Sequence, residues 1–361
     1  MKVGGDRLMQ EWGVEEQFRS AASSLLGAAK AYNTLKVAKS AMLKVAFIEE
    51  KYGISLRLPW HGGTCANFVL ACVEEGMAVS TIRTYLSLIK SQHLYEGWPW
   101  SADQLLANKL LKGRENVSEP GKKRIAITVE MLIFMHDKLK HDKGLSDRDK
   151  RMVWTLFCFL FSGSFRIGEL LAHSEHQFVE QQAFLGKRLL VKRGLVRGKQ
   201  ESFLVVKLIN PKERRSGMKF VEVELFDIKS PYNPVRAFNK LIEKTNFLLS
   251  PDLPVFRWSS GKNVTPRWVN TWLKENMKEF PNYPKDSPIS SHSFRAGVVT
   301  MLGQMGAPEE LIKQVGRWSS DAWINYCREG RVTRVEDQMK VAEMIRSAKG
   351  RFSTVAIVDE N

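Results

Sequence analysis

The segment Val153–Phe161 constrains the fold more than any other part of the sequence. It reads VWTLFCFLF, so eight of its nine residues are apolar. A helix that is apolar on every side is buried rather than amphipathic. The run also falls far short of the roughly 20 residues that cross a membrane. We therefore predict a buried core helix at this position.

The N-terminal third of the chain reads as a series of amphipathic helices. Several helices with recognisable stop signals are predicted between residues 15 and 113. Ser80 is predicted to cap one of them, and Gly113 is predicted to end the last. Farther along, the pairs Asn233-Pro234 and Thr265-Pro266 combine a capping residue with a first-turn proline, which is typical of helix starts.

One stretch interrupts the helical pattern. Residues 183–225 contain the short runs AFLGKRLLV, SFLVVKLI and KFVEVEL, which are rich in β-branched and aromatic residues. The segments RGLVRGKQ and NPKERRSG separate these runs and read as basic turns. The expected fold class is therefore mainly α with a small antiparallel β-sheet.

Chain length and composition predict two domains. At 361 residues the chain can bury two separate cores. Residues 114–124, RENVSEPGKKR, lack apolar periodicity and carry proline, glycine and charges, which is typical of a domain boundary. We predict a helical domain at 1–116, a linker at 117–124, a second domain at 125–332, and a C-terminal helix and tail at 333–361.

The charge of the chain points to a polyanionic partner. A net charge of +16 with a pI near 9.6 favours nucleic acid ahead of acidic lipid. Arg83 and Lys90 lie one heptad apart on a predicted helix, so one ligand can contact both; a solvated helix face is the alternative. The candidate DNA-contacting residues are Arg83, Lys90, Lys122, Lys123, Arg214, Arg215 and Arg267.

Cysteine and histidine usage favours an intracellular protein without a bound metal. The cysteines form no C-x-x-C pair, and three of the four lie in apolar helical patterns, as reduced thiols do. His173 and His176 form an H-x-x-H pattern that is a weak zinc signal, and a surface loop is the preferred interpretation. The N-terminal residues do not resemble a secretory signal. The four cysteines are Cys65, Cys72, Cys158 and Cys327.

The segment 290–330 contains residue types that suit phosphate chemistry. His292 and Arg295 are spaced to share one face of a helix. Ser290 or Ser291 is predicted to cap that helix and to direct backbone N–H groups toward the same region. A short helix from Pro308 to Gly316 and a helix with Tyr326 are predicted to follow. A helix-turn-helix that reads DNA without catalysis is the alternative.

Arg166, Glu169 and Lys212 are the upstream candidates. Arg166 follows the predicted core helix directly, and Glu169 lies one turn later. An arginine at the edge of a buried segment needs an anionic partner, because an unpaired charge there is costly. An internal Arg–Glu pair and a ligand-binding arginine remain equally open. Lys212 lies in the second turn of the predicted sheet, where most lysines are simply solvated. Lys207 and Lys219 border the same turn.

Together these residues meet the requirements of transesterification at a DNA phosphodiester. Fixed cations must stabilise the extra negative charge on the phosphate oxygens, and arginine can grip two oxygens at once. A nucleophile must attack the phosphorus, and an acid must protonate the leaving oxygen. A tyrosine nucleophile leaves a covalent bond that can later be reversed, so that no nucleotide cofactor is needed.

The ordered combination of FRIGELL, a sheet-turn lysine, HSFR and GRWSSDAWINYCR resembles the tyrosine recombinase family. The last segment is most similar to the eukaryotic mobile-element branch, the DIRS, Ngaro and Crypton recombinases. The resemblance covers nearly the whole chain. It implies a two-domain, C-shaped DNA clamp, formed by a helical core-binding domain and an α+β catalytic domain.

The resemblance also implies a role for each candidate residue. Tyr326 would be the nucleophile, Lys212 the general acid, and Glu169 a buried support for the site histidine. Trp318 would stand where many bacterial members have a second histidine, although counting back from Tyr326 reaches Arg317. The phosphate oxygens would be held by Arg166, His292, Arg295 and Trp318. No metal, ATP or other cofactor is implied.

The resemblance implies a site-specific recombinase for integration or excision of a mobile element. Its partner would be double-stranded DNA. The protein would be a monomer or dimer when free and would form a homotetramer on two DNA sites. The helix at 333–349 would pack on a neighbouring subunit, and packing within one chain is the alternative. The compartment would be the nucleus in a eukaryote, or the nucleoid or cytoplasm for a bacterial or viral chain. Competing functions are a type IB topoisomerase, a telomere resolvase, and a non-catalytic, domesticated DNA-binding protein.

Overall fold

The structure is a computed structural model, and it divides the chain into two compact units. These units span Met1–Gly121 and Lys122–Asn361, so the division falls inside the segment 117–124 in which we expect a linker. The structure describes residues 15–18, 20, 32–96, 98, 100, 105–118, 124–180, 183–196, 199–209, 220–245, 247–284, 287–318 and 324.

The first unit is helical. Its core surrounds α2, where Cys65, Phe68 and Cys72 are fully buried, and Trp60 packs against Phe68 with a ring-centroid distance of 5.2 Å. The helices are α1 (Tyr32–Tyr52), α2 (Gly62–Glu74), α3 (Val79–Tyr95) and α4 (Leu105–Val117).

Two predicted helix boundaries in this unit are wrong. The N-cap of α3 is Ala78 rather than Ser80. Helix α4 continues past Gly113 to Val117, because a glycine inside a helix costs only about 1 kcal/mol. In the last turn of α4, Glu115 forms an ion pair with Arg83 of α3 at 3.2 Å, and this contact helps to hold the turn in place.

His93 is a buried polar residue in the core of the first unit. Its Nε2 accepts a hydrogen bond from the backbone N–H of Trp60 at 2.5 Å, and Nδ1 lies 3.3 Å from the carbonyl oxygen of Ile89. An accepting Nε2 carries no proton, so Nδ1–H donates to Ile89. Burial lowers the pKa of His93, and the hydrogen bond to Ile89 opposes this shift. The core is therefore built around a neutral histidine.

Acidification is expected to lower the free energy of unfolding. Because the folded-state pKa of His93 lies below its ordinary value of 6.5, the unfolded chain binds more protons between the two values. The contribution of His93 is fully present above pH 6.5 and is lost as the pH falls below it. Urea unfolding followed by tryptophan fluorescence at about pH 7.5 and about pH 5.5 measures this loss.

The matched control is His176, an exposed histidine. His176→Gln is expected to keep the pH dependence of the wild type, whereas His93→Gln is expected to reduce it. His136 and His292 also have lowered pKa values because of burial, so part of the dependence remains in His93→Gln. Equal pH dependence in His93→Gln and in the wild type would contradict the prediction.

The buried core helix predicted at Val153–Phe161 is confirmed. It forms most of α6 (Asp147–Ser162), in the second unit, and each of its nine residues is at most 9 % exposed. Ser146 caps the helix by accepting from the backbone N–H of Asp149 at 3.2 Å. The preceding helix, α5 (Val129–His141), packs beside α6.

The second unit contains the predicted three-stranded antiparallel sheet, in the order β1-β2-β3. The strands are β1 (Leu189–Val196), β2 (Lys199–Ile209) and β3 (Phe220–Leu225). The first predicted turn is mostly strand, since Arg193 pairs with Ser202 and Val196 with Lys199. Continued pairing satisfies backbone groups that a longer loop would leave to water. Residues 183–188, predicted as strand, instead contain the 3-10 helix Gly186–Arg188.

The remaining helices complete the core of the second unit. They are α7 (Ile167–Leu170), α8 (Pro234–Lys244), α9 (Pro266–Asn276), α10 (His292–Gln304) and α11 (Glu309–Gly316). The predicted caps Asn233 and Thr265 are confirmed, since each accepts a backbone hydrogen bond at the start of its helix. Trp272 is buried against Phe157 at 5.3 Å. The fold class is mainly α with a small antiparallel sheet, as predicted.

The described cysteines are buried and free. They are Cys65, Cys72 and Cys158, and burial raises the pKa of Cys65 to about 11 and that of Cys72 to about 12. Cys327 lies outside the described residues. His173 and His176 are exposed, and no group of metal-ligating side chains is found in the described part of the chain. No described helix is both long and apolar enough to cross a membrane.

Candidate functional site

Three segments of the second unit meet around a cluster of arginines. The segments are the turn after α6, the first turns of α10, and the end of α11. They bring together Arg166, Arg295 and Arg317, which we call the arginine cluster, with Glu169 and Trp318 in contact with it. All three arginines were identified from the sequence, from positions up to 151 residues apart.

The turn after α6 holds two of the arginines through its carbonyl groups. Arg317 donates to the carbonyl oxygens of Gly163 at 2.8 Å and Ser164 at 3.1 Å. Arg295 also donates to Ser164, at 3.4 Å. Ser164 is fully buried and has a positive φ of 47°, a backbone conformation that costs a residue with a side chain on the order of 1 kcal/mol. A side chain at Gly163 would collide with the ring of Phe165.

Glu169 links the other contacts of the cluster. Its carboxylate accepts from the backbone N–H of Arg166 at 2.9 Å and from the guanidinium of Arg166 at 3.1 Å. It also accepts from Arg317 at 2.7 Å. That Glu169 supports the site histidine, as the resemblance implies, stays a prediction; its hydrogen bonds to described residues go to these two arginines, and its charge acts to raise the pKa of His292. The internal Arg–Glu pair considered for Arg166 is therefore present.

Arg295 is the most deeply buried member of the cluster, with 1 % exposure. It donates to the carbonyl oxygen of Gly316, and its guanidinium lies 4.2 Å from the ring centroid of Trp318. The side chain of Arg166 is 23 % exposed and that of Arg317 is 10 % exposed. Arg166 is therefore the member most accessible to a ligand.

The end of α11 positions Arg317 and Trp318. Arg317 adopts the left-handed conformation, with φ 50° and ψ 49°. The backbone N–H of Arg317 donates to the carbonyl oxygen of Gln314, and that of Trp318 donates to the carbonyl oxygen of Lys313. This is the hydrogen-bond pattern of a Schellman cap. A side chain at Gly316 would collide with the Trp318 ring. The cap directs Arg317 toward Glu169 and packs Trp318 against Arg295.

His292 begins α10 beside the cluster. Burial is the largest cause of its lowered pKa, followed by the positive charges of Arg124, Arg295 and Arg166, while Glu169 acts in the opposite direction. His292 is therefore neutral at pH 7, and its ring N–H can donate to an anion. Ser291, at the N-cap position, makes no side-chain cap because its backbone is helical, with φ −54°. The predicted serine therefore stands at the N-cap position, but its side chain does not make the hydrogen bond of a cap.

Arg124 is a site residue that the sequence analysis did not single out. The N–H groups of Ile125 and Ile127 donate to the carbonyl oxygens of Pro288 at 3.1 Å and Ser293 at 3.0 Å. These bonds hold the start of the second unit against the start of α10, which explains the effect of Arg124 on His292. No local pattern could have linked positions that lie about 170 residues apart in the chain.

The site carries more positive than negative charge. Arg166 and Arg317 both pair with the carboxylate of Glu169, Arg295 bonds to carbonyl groups, and among the described residues Arg124 adds a fourth cation nearby. An arrangement of fixed guanidinium groups, a neutral histidine and an indole suits a multiply charged oxyanion, and above all a phosphate.

The remaining candidates lie elsewhere. Arg83 and Lys90 are exposed on α3 of the first unit, and Arg267 is exposed on α9. Lys207, which borders the predicted lysine turn, pairs with Glu222 at 3.1 Å. Six candidates fall outside the described residues; these are Tyr326, Lys212, Lys122, Lys123, Arg214 and Arg215.

Comparison with known proteins finds a likeness in structure. No protein-family model and no curated protein matches the sequence. A Tn1549 transposon integrase bound to circular intermediate DNA has a TM-score of 0.51 at 14% identity, over 90% of this chain and 97% of that chain. The site-specific recombinase XerH bound to its difH substrate has a TM-score of 0.53 at 14% identity, over 86% of this chain and 79% of that chain.

A third solved structure gives the same result. A lambda integrase dimer bound to a core site has a TM-score of 0.51 at 9% identity, over 89% of this chain and 96% of that chain. These three neighbours are tyrosine recombinases and integrases. At such low identities the likeness establishes the fold, and the described part of the second unit has the fold of a tyrosine recombinase catalytic domain.

Proposed function

We propose that this protein is a site-specific DNA recombinase that cleaves and rejoins strands through a 3′-phosphotyrosyl intermediate. The observation that carries the proposal is the convergence of Arg166, Arg295 and Arg317 beside His292, within the fold shared with the neighbours described above. Fixed guanidinium groups that converge beside a neutral histidine suit the oxygens of a phosphate group, and this supports a phosphodiester as the substrate.

In the proposed reaction Tyr326 attacks the scissile phosphorus, and the bond from phosphorus to the 5′-oxygen breaks. Lys212 gives its proton to the departing 5′-oxygen. The free 5′-hydroxyl of a partner strand later attacks the phosphotyrosine and releases Tyr326. The phosphotyrosine bond stores the energy of the broken strand bond, so the proposed rejoining step needs no ATP, and the arginines take the place of a metal ion in stabilising the phosphate charge.

The described residues stabilise the pentacoordinate phosphate. Arg166 and Arg295 bind non-bridging oxygens, and His292 donates its ring N–H to one of them. We assign Trp318 as a further donor through its indole N–H, because it packs directly on Arg295. Arg317 is bonded to Glu169 and to two carbonyl groups, and this supports a positioning role for it.

We also propose how the chain engages DNA. Residues 1–116 serve as the core-binding domain and residues 125–332 as the catalytic domain, joined by the linker 117–124. The candidate basic residues of both domains contact phosphate groups of the DNA backbone. We infer that the protein forms a homotetramer on two DNA sites and acts inside the cell. The helix at 333–349 packs on a neighbouring subunit. The similarity of GRWSSDAWINYCR to eukaryotic mobile-element recombinases, together with the likeness to a transposon integrase, supports a role in integration or excision.

The proposal is tested by trapping the covalent intermediate. Nicked suicide duplexes with randomised sequence around the nick are incubated with the full chain in EDTA, and products are separated on a denaturing gel. A protein–DNA adduct is expected, and mass spectrometry of its peptides is expected to place a 3′-phosphate on Tyr326. DNA binding without any adduct, or an adduct on another residue, would refute the proposed mechanism.

A further inference from the structure

A second cationic site lies in the second unit, away from the arginine cluster. A cavity of about 740 Å³ opens between α5, the first half of α6, the segment 229–233 and α8. We call it the α5–α8 cavity. Arg151 lines it, and Ser162, at the end of α6 next to the arginine cluster, lies eleven residues farther along the same helix. At 1.5 Å per residue this separation is about 16 Å.

The walls of this cavity are strongly basic. Its lining includes one carboxylate, Asp147, which is 3.7 Å from Arg151, while Arg236 pairs with Asp227 at 3.3 Å. No carboxylate among the described residues forms an ion pair with any of the three lysines at positions 140, 229 and 240. The six cations that line the cavity are Lys140, Lys150, Arg151, Lys229, Arg236 and Lys240.

One wall combines an aromatic pair with converging lysines. The ring of His136 lies on Trp154 with a centroid distance of 4.4 Å. Burial is the main cause of the lowered pKa of His136, and Lys140 and Lys240 lower it further. Two lysines from different helices therefore act on the same ring. The Nε of Arg151 is buried and has no hydrogen-bond partner in the described part of the chain.

Like charges around one cavity repel each other, and a bound polyanion would neutralise them more completely than solvent and salt do. The size of the cavity limits how large that anion can be. A volume of about 740 Å³ lies within the range of small-molecule sites, and it is too small to enclose a DNA duplex. We propose that the α5–α8 cavity binds a small molecule that carries several linked phosphate groups, such as inorganic triphosphate or a nucleoside triphosphate.

Calorimetric titration of the full chain tests this inference. Inorganic triphosphate and adenosine triphosphate are titrated separately, without divalent metal, at about 150 mM salt, where screening weakens long-range attraction to the net charge of the protein. Saturable binding of one ligand per chain is expected for both. Equal affinities would show that the site recognises the phosphates alone, and tighter binding of the nucleotide would show that it also contacts the base. Absence of saturable binding would overturn the proposal.

Charge-reversal variants separate the cavity from the overall charge of the protein. Lys240→Glu and Lys229→Glu remove a cavity cation, whereas Lys278→Glu makes the same change in charge at an exposed residue outside the cavity. Loss of a charge-assisted contact is expected to weaken triphosphate binding about tenfold or more in the cavity variants. Lys278→Glu is expected to retain the affinity of the wild type.

Two results would contradict the inference. An equal loss in Lys278→Glu would mean that binding follows the net charge. If Lys240→Glu and Lys229→Glu weakened binding of a short duplex and left the triphosphate titration unchanged, the cavity would be a DNA contact. Lys229 lies in a loop rather than a helix, so it keeps the test open if Lys240→Glu disturbs folding.

Discussion

Replacing Arg295 by alanine is expected to reduce strand cleavage about a thousandfold, the upper end of the effect of losing one oxyanion donor. The side chain is 1 % exposed, and its guanidinium lies against Trp318 and bonds to Ser164 and Gly316. Its loss removes a fixed cation from the proposed phosphate site and also the surface on which Trp318 rests. Single-turnover formation of the covalent adduct measures the effect.

Two further variants show whether the effect is specific. Arg295→Lys keeps the charge but loses the planar fork, so cleavage is expected to fall nearly as far. Arg257→Ala removes an arginine that bonds to the carbonyl oxygen of Gly261 in a surface loop, and its cleavage is expected to match the wild type. Urea unfolding of each variant shows whether it is folded. Cleavage by a folded Arg295→Lys within tenfold of the wild type would contradict the assignment.

Replacing Gly297 by alanine is expected to lower the free energy of unfolding by about 3 kcal/mol, at the upper end of overpacking costs. A side chain at this position in α10 would collide with the carbonyl oxygen of Ile127, and it would lie 3.0 Å from the carbonyl carbon of the same residue. The neighbouring atoms are backbone, which is held by the hydrogen bond from Ile127 to Ser293. Neither helix α10 nor the backbone of Ile127 can move away without losing that hydrogen bond.

Gly113 provides a matched control for this substitution. It lies inside α4, and a side chain there would meet no atom within 4 Å. Gly113→Ala is expected to stabilise the protein by about 0.5–1 kcal/mol, because alanine has the higher helix propensity. Urea unfolding of both variants tests the pair. A Gly297→Ala protein as stable as the wild type would mean that α10 does not approach Ile127 this closely.

Features of the fold that depend on neighbouring residues could be predicted from the sequence. The core helix follows from an unbroken apolar run, and the starts of α8 and α9 follow from Asn233 and Thr265 beside prolines. Two of the errors arose where a distant contact decided the outcome. Helix α4 extends past Gly113 into a turn that pairs with Arg83, and β1 extends because β2 pairs with it.

The residues of the candidate site also fall into those that a local pattern predicts and those that depend on distant contacts. Arg166, His292 and Arg295 could be identified because each stands in a recognisable local pattern. The pairing of Glu169 with Arg166 was considered, but its pairing with Arg317 could not be predicted, since Arg317 lies 148 residues away along the chain. The role of Arg124 was missed for the same reason, because its place beside His292 depends on backbone bonds from 125 to 288 and from 127 to 293. Only the folded chain brings these charges together.

The bonds made by Arg317 have a consequence for the order of folding. They connect the end of α11 with Gly163, 154 residues earlier, and with Glu169. Contacts of such long sequence separation form only after the intervening chain has closed a large loop, which is slow. During synthesis a growing chain that ends before residue 317 already contains Arg166, His292 and Arg295 but lacks the side chain that bonds to Gly163, Ser164 and Glu169. The assembled cluster is therefore a property of the finished protein, and a nascent chain carries only its separate parts.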